Sequence, residues 1–185
     1  MNPPDEELVR RFQGGEDTAF ETLVERWYTP LLNLAWRLTG ERDDAEEIRQ
    51  MALIKIFQGA GDFHGRSRFS TWVYRICLNL VRDRHRKSEV QKRTFDLLRE
   101  ETGADSEIES TTPLSSFERQ ERAQRVAEAV LSLPQQMREV VVLRHYHDLP
   151  FPAIAEVTGA PVTTVKSRMQ MGLEKLRVKL QHLEA

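Results

Sequence analysis

The chain has 185 residues, of which 30% are charged and 39% are hydrophobic, and its formal net charge is −2 at pH 7. This composition is typical of a folded protein with much polar surface and excludes a disordered or membrane-embedded chain. No apolar run approaches the roughly 20 residues that cross a bilayer, and the first residues show no signal-peptide pattern, so we expect no membrane insertion and a cytoplasmic location.

The first 95 residues predict three amphipathic helices in succession. The first lies between Asp17, which can cap its start, and Gly40, which ends it, and the second begins at Asp43 or Asp44. The third follows a loop at residues 59–70. One of its faces is apolar, and another carries polar and cationic side chains at helical steps, namely Arg75, Asn79, Arg82 and Arg86.

Residues 96–118 interrupt the helical pattern. Between Glu100 and Glu118 there is no Lys or Arg, and residues 102–116 include Gly103, Pro113 and several Ser and Thr. Such a segment lacks the apolar content to form a core and is predicted to be a flexible acidic linker. Basic residues instead cluster between Arg82 and Arg93. We therefore expect this basic segment to bind phosphate and the acidic linker to bind a basic surface.

A helix-turn-helix is predicted in the last piece, residues 119–185, over the sequence FPAIAEVTGAPVTTVKSR at residues 151–168. Ala155 is small enough for two helices to cross closely, and Gly159 can take a positive φ in the turn. Val165 is expected to pack the second helix against the core. Pro161 suits the start of that helix. An ordinary helical hairpin with a solvated charged face is the alternative.

The second helix of this motif presents a polar face that can reach phosphates and base edges in a major groove. Its members are Thr163, Thr164, Lys166, Ser167, Arg168 and Gln170. Further along the same helix an apolar stripe is interpreted as packing, and it consists of Met169, Leu173, Leu176, Leu180 and Leu183.

The whole pattern predicts an all-α fold, because no alternating strand pattern or repeat is present. We expect two small helical domains, at residues 1–95 and 119–185, joined by the acidic linker at residues 96–118. Cys77 has no Cys or His partner at zinc-ligand spacing, so we interpret it as a packing residue and expect no metal and no cofactor. No glycine-rich phosphate loop and no activated nucleophile is evident, so we expect no enzymatic activity.

Three motifs, in their order and separation, resemble the extracytoplasmic-function sigma factors of the sigma-70 family. DAEEIRQ at residues 44–50 resembles the helix that grips the clamp coiled coil of the polymerase β′ subunit. FSTWVYRICLN at residues 69–79 resembles the helix beside the loop that reads the minus-ten element. LPQQMREVVVLR at residues 133–144, with Ile154, Ala155 and TVKSR at residues 164–168, resembles region 4, which reads the minus-thirty-five element.

This resemblance implies an alternative sigma factor that directs transcription initiation. Its partners would be core RNA polymerase, contacted at the β′ clamp and the β flap, promoter DNA, and an anti-sigma factor. The acidic linker would thread through the basic active-site and RNA-exit region of the polymerase. The helix-turn-helix residues named above would contact minus-thirty-five DNA.

The resemblance also implies site residues in the first domain. The loop before the third helix would capture a base flipped from the non-template strand, so the minus-ten candidates are Phe63, His64, Arg66, Ser67, Arg75, Asn79, Arg82 and Arg86. The candidates for binding core polymerase are Asp44, Glu47, Ile48, Gln50 and Ile54. The arginines and Asn79 could instead be solvated, and Trp72 fits a core position better than a stacking platform.

Some residues depart from the family pattern. Met171, Gly172 and Leu173 stand where Arg is frequent, which predicts weaker phosphate contacts or a different promoter preference. Ala153 stands where Glu is frequent, and Arg49 lies inside the clamp-binding motif. The alternative function is an autonomous helix-turn-helix regulator, which predicts a sensory or dimerising N-terminal domain. The cationic stripe and the clamp-like motif favour the sigma factor.

Overall fold

The computed structural model describes residues 3–99 and 117–181, so most of the predicted linker lies outside the described residues. Within these ranges the secondary structure is helical throughout, without strands, and the predicted all-α class is confirmed. None of the described helices is long and apolar enough to cross a membrane. The helices are α1 Asp5–Gln13, α2 Asp17–Thr39, α3 Arg42–Ala60, α4 Phe69–Arg99, α5 Phe117–Leu131, α6 Gln135–His145, α7 Phe151–Thr158 and α8 Val162–Gln181.

The ends of α2 and α3 differ slightly from the sequence expectation. Asp17 is the first residue of α2 and makes no side-chain cap, while Gly40 ends this helix with a left-handed φ of 80°. Helix α3 begins at Arg42, so Asp43 and Asp44 lie inside its first turn and do not cap it. Carboxylates at this place still favour the helix, because the exposed amides of a helix N-terminus carry partial positive charge.

Helices α1 to α4 enclose the first part of the core. Leu31, Leu34 and Ala35 of α2 are fully buried, as are Ala45 and Ala52 of α3. Trp27 packs edge-on against Phe69 and Tyr74 of α4. Cys77 is also fully buried, and this burial raises the pKa of its thiol to about 12, which agrees with its interpretation as a packing residue.

Helix α1 was not predicted from the sequence. Leu8 and Val9 bury its inner side against α2, and Phe12 packs against Phe20. Acidic side chains occupy its first turn and basic ones its last turn, which suits the helix dipole. These charges and the apolar residues were the available signal, but nine residues form only a short helix, and short helices depend on tertiary packing.

Helices α5 to α8 carry the predicted helix-turn-helix. Helix α7 ends at Gly159, whose φ is 72°, and α8 follows after a turn. Val165 is fully buried, as predicted, and so is Ile154, whereas Ala155 is partly buried. Gly172 lies so close to α6 that an added Cβ would stand 2.9 Å from Cγ2 of Val141. The glycine therefore allows α6 and α8 to pack closely.

The two sets of helices also pack against each other, which was not predicted from the sequence. Helix α4 contacts α7, and α2 contacts α5 and α6. A Cβ added to Gly40 would lie 2.8 Å from Cδ1 of Leu131 in α5. Arg138 of α6 donates a hydrogen bond of 2.7 Å to the carbonyl oxygen of Leu38 in α2. These contacts place the predicted minus-ten face of α4 next to the helix-turn-helix.

Candidate nucleic-acid interface

The loop between α3 and α4 forms a cavity of about 300 Å3. Its lining brings together the predicted minus-ten loop residues and parts of the flanking helices, namely Gly59, Asp62, Phe63, His64, Arg66, Ser67, Trp72 and Arg75. Gly65 turns the loop with a φ of 68°. The volume lies at the lower end of small-ligand pockets, which suits a single base better than a larger ligand.

One wall of this cavity is aromatic. The Trp72 ring lies 5.4 Å from the rings of both Phe63 and Phe69, measured between centroids. Trp72 is only partly buried, so it serves both the core, as predicted, and the cavity wall. Gly59 makes room for it, because an added Cβ there would stand 2.8 Å from Cζ2 of the indole. The wall offers π-faces on which an unpaired base can stack.

The cationic stripe on α4 is divided between the other domain and solvent. Arg82 donates two hydrogen bonds, of 3.0 and 2.7 Å, to the two carboxylate oxygens of Glu139 in α6, and one of 3.3 Å to the carbonyl oxygen of Thr158 in α7. Arg75 donates one of 3.1 Å to the carbonyl oxygen of Glu156. These two predicted phosphate contacts are thus occupied by protein in the described arrangement.

The remaining members of the stripe face solvent. Asn79 is exposed, and Arg86 is exposed and pairs with Asp83 at 3.1 Å. Arg86 also borders a groove of about 430 Å3 between the two domains, opposite Arg168 of α8. Asn79 and Arg86 are therefore accessible to a DNA strand without any movement of the domains.

The predicted polymerase-binding residues of α3 separate into three groups. Gln50 and Ile54 are exposed on the outer face, where 49% of Ile54 is accessible. Asp44 and Glu47 both pair with Arg84 of α4. Ile48 is different, because only 5% of it is accessible. Its assignment to the polymerase contact is corrected, since α3 turns this side chain into the core.

Two exposed apolar residues of α3 were missed. Met51 and Phe57 are 42% and 55% accessible, and together with Gln50 and Ile54 they form one outer face of the helix. The signal was present in the sequence, because positions 50, 54 and 57 recur at helical spacing outside the core stripe. We call Gln50, Met51, Ile54 and Phe57 the outer face of α3.

Helix α8 presents most of the predicted recognition residues to solvent. Thr163, Lys166, Ser167 and Gln170 are exposed. Thr164 and Arg168 are partly buried: the carbonyl oxygen of Thr164 accepts a hydrogen bond of 3.0 Å from the Ser167 hydroxyl, and Arg168 donates one of 2.6 Å to Gln136 of α6. The four exposed side chains point away from the core and leave a surface free for duplex DNA.

The apolar stripe farther along α8 is less buried than predicted. Met169, Leu176 and Leu180 are partly buried, whereas 50% of Leu173 is accessible, and Leu183 lies outside the described residues. The prediction that Leu173 is a packing residue is wrong for this arrangement, because close packing on α6 occurs through the adjacent Gly172.

Comparison with known proteins matches one family model to each set of helices. The Sigma-70 region 2 model matches residues 23–90, and the Sigma-70, region 4 model matches residues 123–176. The chain is 31% identical to the ECF RNA polymerase sigma factor SigW of Bacillus subtilis, over 95% of this chain and 96% of SigW. It is 32% identical to the RNA polymerase sigma-H factor of Pseudomonas aeruginosa, over 97% of this chain and 95% of that protein.

Solved structures agree with this assignment. CnrH, solved in complex with the cytosolic domain of CnrY, superposes with a TM-score of 0.71 at 25% identity, over 96% of this chain and 97% of CnrH. The sigma factor RpoE of Bartonella quintana, solved with the anti-sigma factor NepR, shares the fold with a TM-score of 0.65 at 21% identity, over 88% of this chain and 96% of RpoE. The chain therefore belongs to the extracytoplasmic-function (ECF) sigma factors of the sigma-70 family.

Proposed function

We propose that this ECF sigma factor starts transcription by using three separate surfaces. The outer face of α3 binds core RNA polymerase, the cavity at residues 59–75 captures a minus-ten base, and the N-terminal half of α8 reads minus-thirty-five DNA. The observation that carries the proposal is the convergence of Phe63, His64, Arg66 and Ser67 on one cavity with an aromatic wall. We further propose that the protein acts in the cytoplasm, where the polymerase is, and catalyses no reaction itself.

The polymerase contact is supported by the exposed apolar surface of α3. Apolar side chains as large as Ile54 and Phe57 gain free energy when a partner covers them. The pairs of Arg84 with Asp44 and Glu47 hold two acidic side chains at the N-terminal end of the same helix. Ile48 takes no part in this contact and supports α3 from within the core.

Base capture is supported by the chemistry of the cavity lining. A base leaves its duplex only if stacking and hydrogen bonds elsewhere replace those that it loses. Phe63 and Trp72 can stack on it, and His64 and Ser67 can exchange hydrogen bonds with its edges. Arg66 adds a positive charge for the strand backbone.

Minus-thirty-five recognition is supported by the exposed polar side chains of α8. Lys166 can neutralise a phosphate, while Gln170 can donate to and accept from the edge of a base. Arg168 already donates to Gln136, so its contribution to DNA binding requires that this hydrogen bond be exchanged.

Phosphate binding by Arg82 requires that the two domains separate. Arg82 cannot contact a phosphate through donor groups that Glu139 and Thr158 already occupy. We therefore propose that core polymerase, by binding each domain at a different place, replaces the packed arrangement with an extended one. Two weak DNA contacts on one polymerase then reinforce each other, because the second becomes intramolecular.

An anti-sigma factor, such as NepR is for the Bartonella protein, is the expected negative regulator.

The polymerase contact is tested by run-off transcription with purified core polymerase and the double variant Gln50→Ala, Ile54→Ala. We expect the affinity for core enzyme to fall by about tenfold or more, since buried apolar contacts at interface centres dominate binding. Lys55→Ala, also exposed on α3, is the matched control. A wild-type protein that fails to bind core enzyme, yet binds an operator tightly alone, would support the autonomous regulator instead.

The cavity is tested separately with Phe63→Ala and His64→Ala. Both variants should bind core polymerase normally but open promoters slowly, and a template with a pre-melted minus-ten region should restore much of the rate. Normal opening by both variants on a fully paired promoter would remove the cavity from the proposal.

A further inference from the structure

Helix α1 contacts the start of the loop that forms the base-capture cavity. The side-chain amide nitrogen of Gln13 lies 2.8 Å from the carbonyl oxygen of Ala60, 3.3 Å from that of Gly61 and 3.0 Å from that of Phe63. The two hydrogens of the amide NH2 are shared among these three carbonyl oxygens. Gln13 thereby holds the last turn of α3 and the first loop residues together.

The same helix contacts the end of the loop. Oε1 of Glu6 accepts a hydrogen bond of 3.0 Å from the backbone amide of Phe69, the first residue of α4. The first amides of a helix have no acceptor within the helix, and a carboxylate beside them is favoured by the helix dipole. The preceding residue, Arg68, has no side-chain oxygen that could cap α4. Glu6 therefore provides this cap from another helix.

Helix α1 is held firmly enough to act as a support. Leu8 and Val9 are almost completely buried. Asp5 accepts a hydrogen bond of 3.1 Å from the indole nitrogen of Trp27 in α2. Gln13 follows Glu6 by seven positions, about two helical turns, so both side chains project from one face of the helix. One face of α1 thus spans the loop from its start to its end.

We propose that Glu6 and Gln13 are positioning residues that set the shape of the cavity and, through it, the preference for the captured base. This inference rests on the proposed role of the cavity in base capture. Neither residue lies within the match to Sigma-70 region 2, which begins at residue 23. Phe63 is the direct link, because its carbonyl oxygen accepts from Gln13 while its ring packs against Trp72.

The test uses the full chain and the variants Gln13→Ala and Glu6→Ala. Glu6→Gln is the conservative variant, because its amide oxygen can still accept from the Phe69 amide. Arg11→Ala is the matched control, since Arg11 lies on another face of α1 and pairs with the exposed Glu16. Amide hydrogen exchange of the free protein reports on the loop. Binding of the polymerase holoenzyme to four minus-ten single strands, which differ only at the captured base, reports on base preference.

We expect Gln13→Ala and Glu6→Ala to raise the exchange rate at residues 61–69 by about tenfold, as the loss of one or two hydrogen bonds predicts. The ratio of the holoenzyme's affinities for the best-bound and the worst-bound strand should fall by a similar factor. The affinity for core polymerase should change by less than about twofold. Glu6→Gln should retain most of the wild-type ratio, and Arg11→Ala should match the wild type in every measurement.

Three results would overturn the proposal. Unchanged exchange at residues 61–69 in both alanine variants would show that α1 does not hold the loop. Faster exchange with an unchanged strand ratio would show that α1 supports the loop without setting its preference. If the wild-type holoenzyme showed no strand preference at all, the proposed base capture would fail, and the positioning role would fall with it even if exchange were faster.

Discussion

Arg82 of α4 and Glu139 of α6 form a two-pronged ion pair across the domain interface, with N–O distances of 3.0 and 2.7 Å. The Glu139 side chain is 1% accessible, so its carboxylate depends on Arg82 and on a hydrogen bond of 3.3 Å from Gln135. The hydrogen bonds to Glu139 raise the pKa of the arginine, which therefore stays charged. Arg82, which was predicted to bind phosphate, thus holds the two domains together in the packed arrangement.

Removal of Arg82 should promote domain separation. Arg82→Ala leaves the Glu139 carboxylate buried beside one weak donor, and we expect the packed arrangement to lose about 1–3 kcal/mol. Fluorescence energy transfer between labels on α2 and α8 measures the fraction of separated molecules. Arg86→Ala removes another arginine from the same helix, whose ion pair is with Asp83 of that helix and not with α6 or α7, and serves as the control. Equal energy transfer in the two variants would show that the ion pair does not hold the domains.

The packing should also weaken in acid because of His147. Nδ1 of His147 lies 3.1 Å from the Tyr74 hydroxyl, across the interface. Burial, and then the nearby charge of Arg37, lower the pKa of His147 from 6.5 to about 4, while Asp148 opposes them. Burial also raises the pKa of Tyr74 to about 12, so this hydroxyl keeps its proton. Protonation of His147 therefore favours the separated state, in which the imidazole is solvated.

The sign of this effect fixes the pH window. The packed arrangement is most stable above pH 6.5. Its stability decreases as the pH falls from 6.5 toward 4, by about 1 kcal/mol near pH 5.5. Energy transfer between the domains should decrease over this range. His147→Gln should remove this part of the pH dependence, whereas His145→Gln, at an exposed position, should retain it. A His147→Gln profile that overlays the wild type would exclude this histidine as the cause.

Gly172 should couple to Val141. An added Cβ at Gly172 would stand 2.9 Å from Cγ2 of Val141 and 3.6 Å from Cβ of Met137. Alanine in a helix gains about 1 kcal/mol over glycine, but overpacking of this contact costs about 1–3 kcal/mol. We expect Gly172→Ala to be more favourable by at least about 1 kcal/mol in a Val141→Ala background than in the wild type. Urea unfolding of the four proteins measures this coupling, and strictly additive effects would contradict it.

The sequence predicted the helices and surfaces that depend on local pattern. The stripe of α2, the turn at Gly159 and the buried Val165 follow from helical spacing and from the conformational freedom of glycine. The loop residues around Phe63 came from the family resemblance, and the structure brings them to one cavity. Ile48 was misassigned because the clamp-binding motif at residues 44–50 includes residues on every face of α3. Only one face of this helix is exposed, and Ile48 lies on the buried side.

Contacts between distant polar groups could not be predicted in the same way. Arg82 and Glu139 are 57 positions apart, and neither has a local pattern that indicates the other. Gln13 and Phe63 are 50 positions apart in the sequence. The acceptor is a backbone carbonyl oxygen, which every residue has, so no residue type indicates this contact. An arginine on a solvated helix face and one in an interdomain ion pair look alike until the neighbouring helix is placed.

The exposed residues of α8 allow phosphate contacts to be distinguished from base contacts. Lys166→Ala should weaken holoenzyme binding to all minus-thirty-five duplexes alike and should lower the slope of log affinity against log salt by about 1. Gln170→Ala should leave that slope unchanged but reduce discrimination at one base pair, by about 1–3 kcal/mol. Lys175, exposed farther along α8, provides the control for the loss of a positive charge. If Lys175→Ala lowered the salt slope as much as Lys166→Ala, the DNA would lie along the length of α8 and not at its N-terminal half.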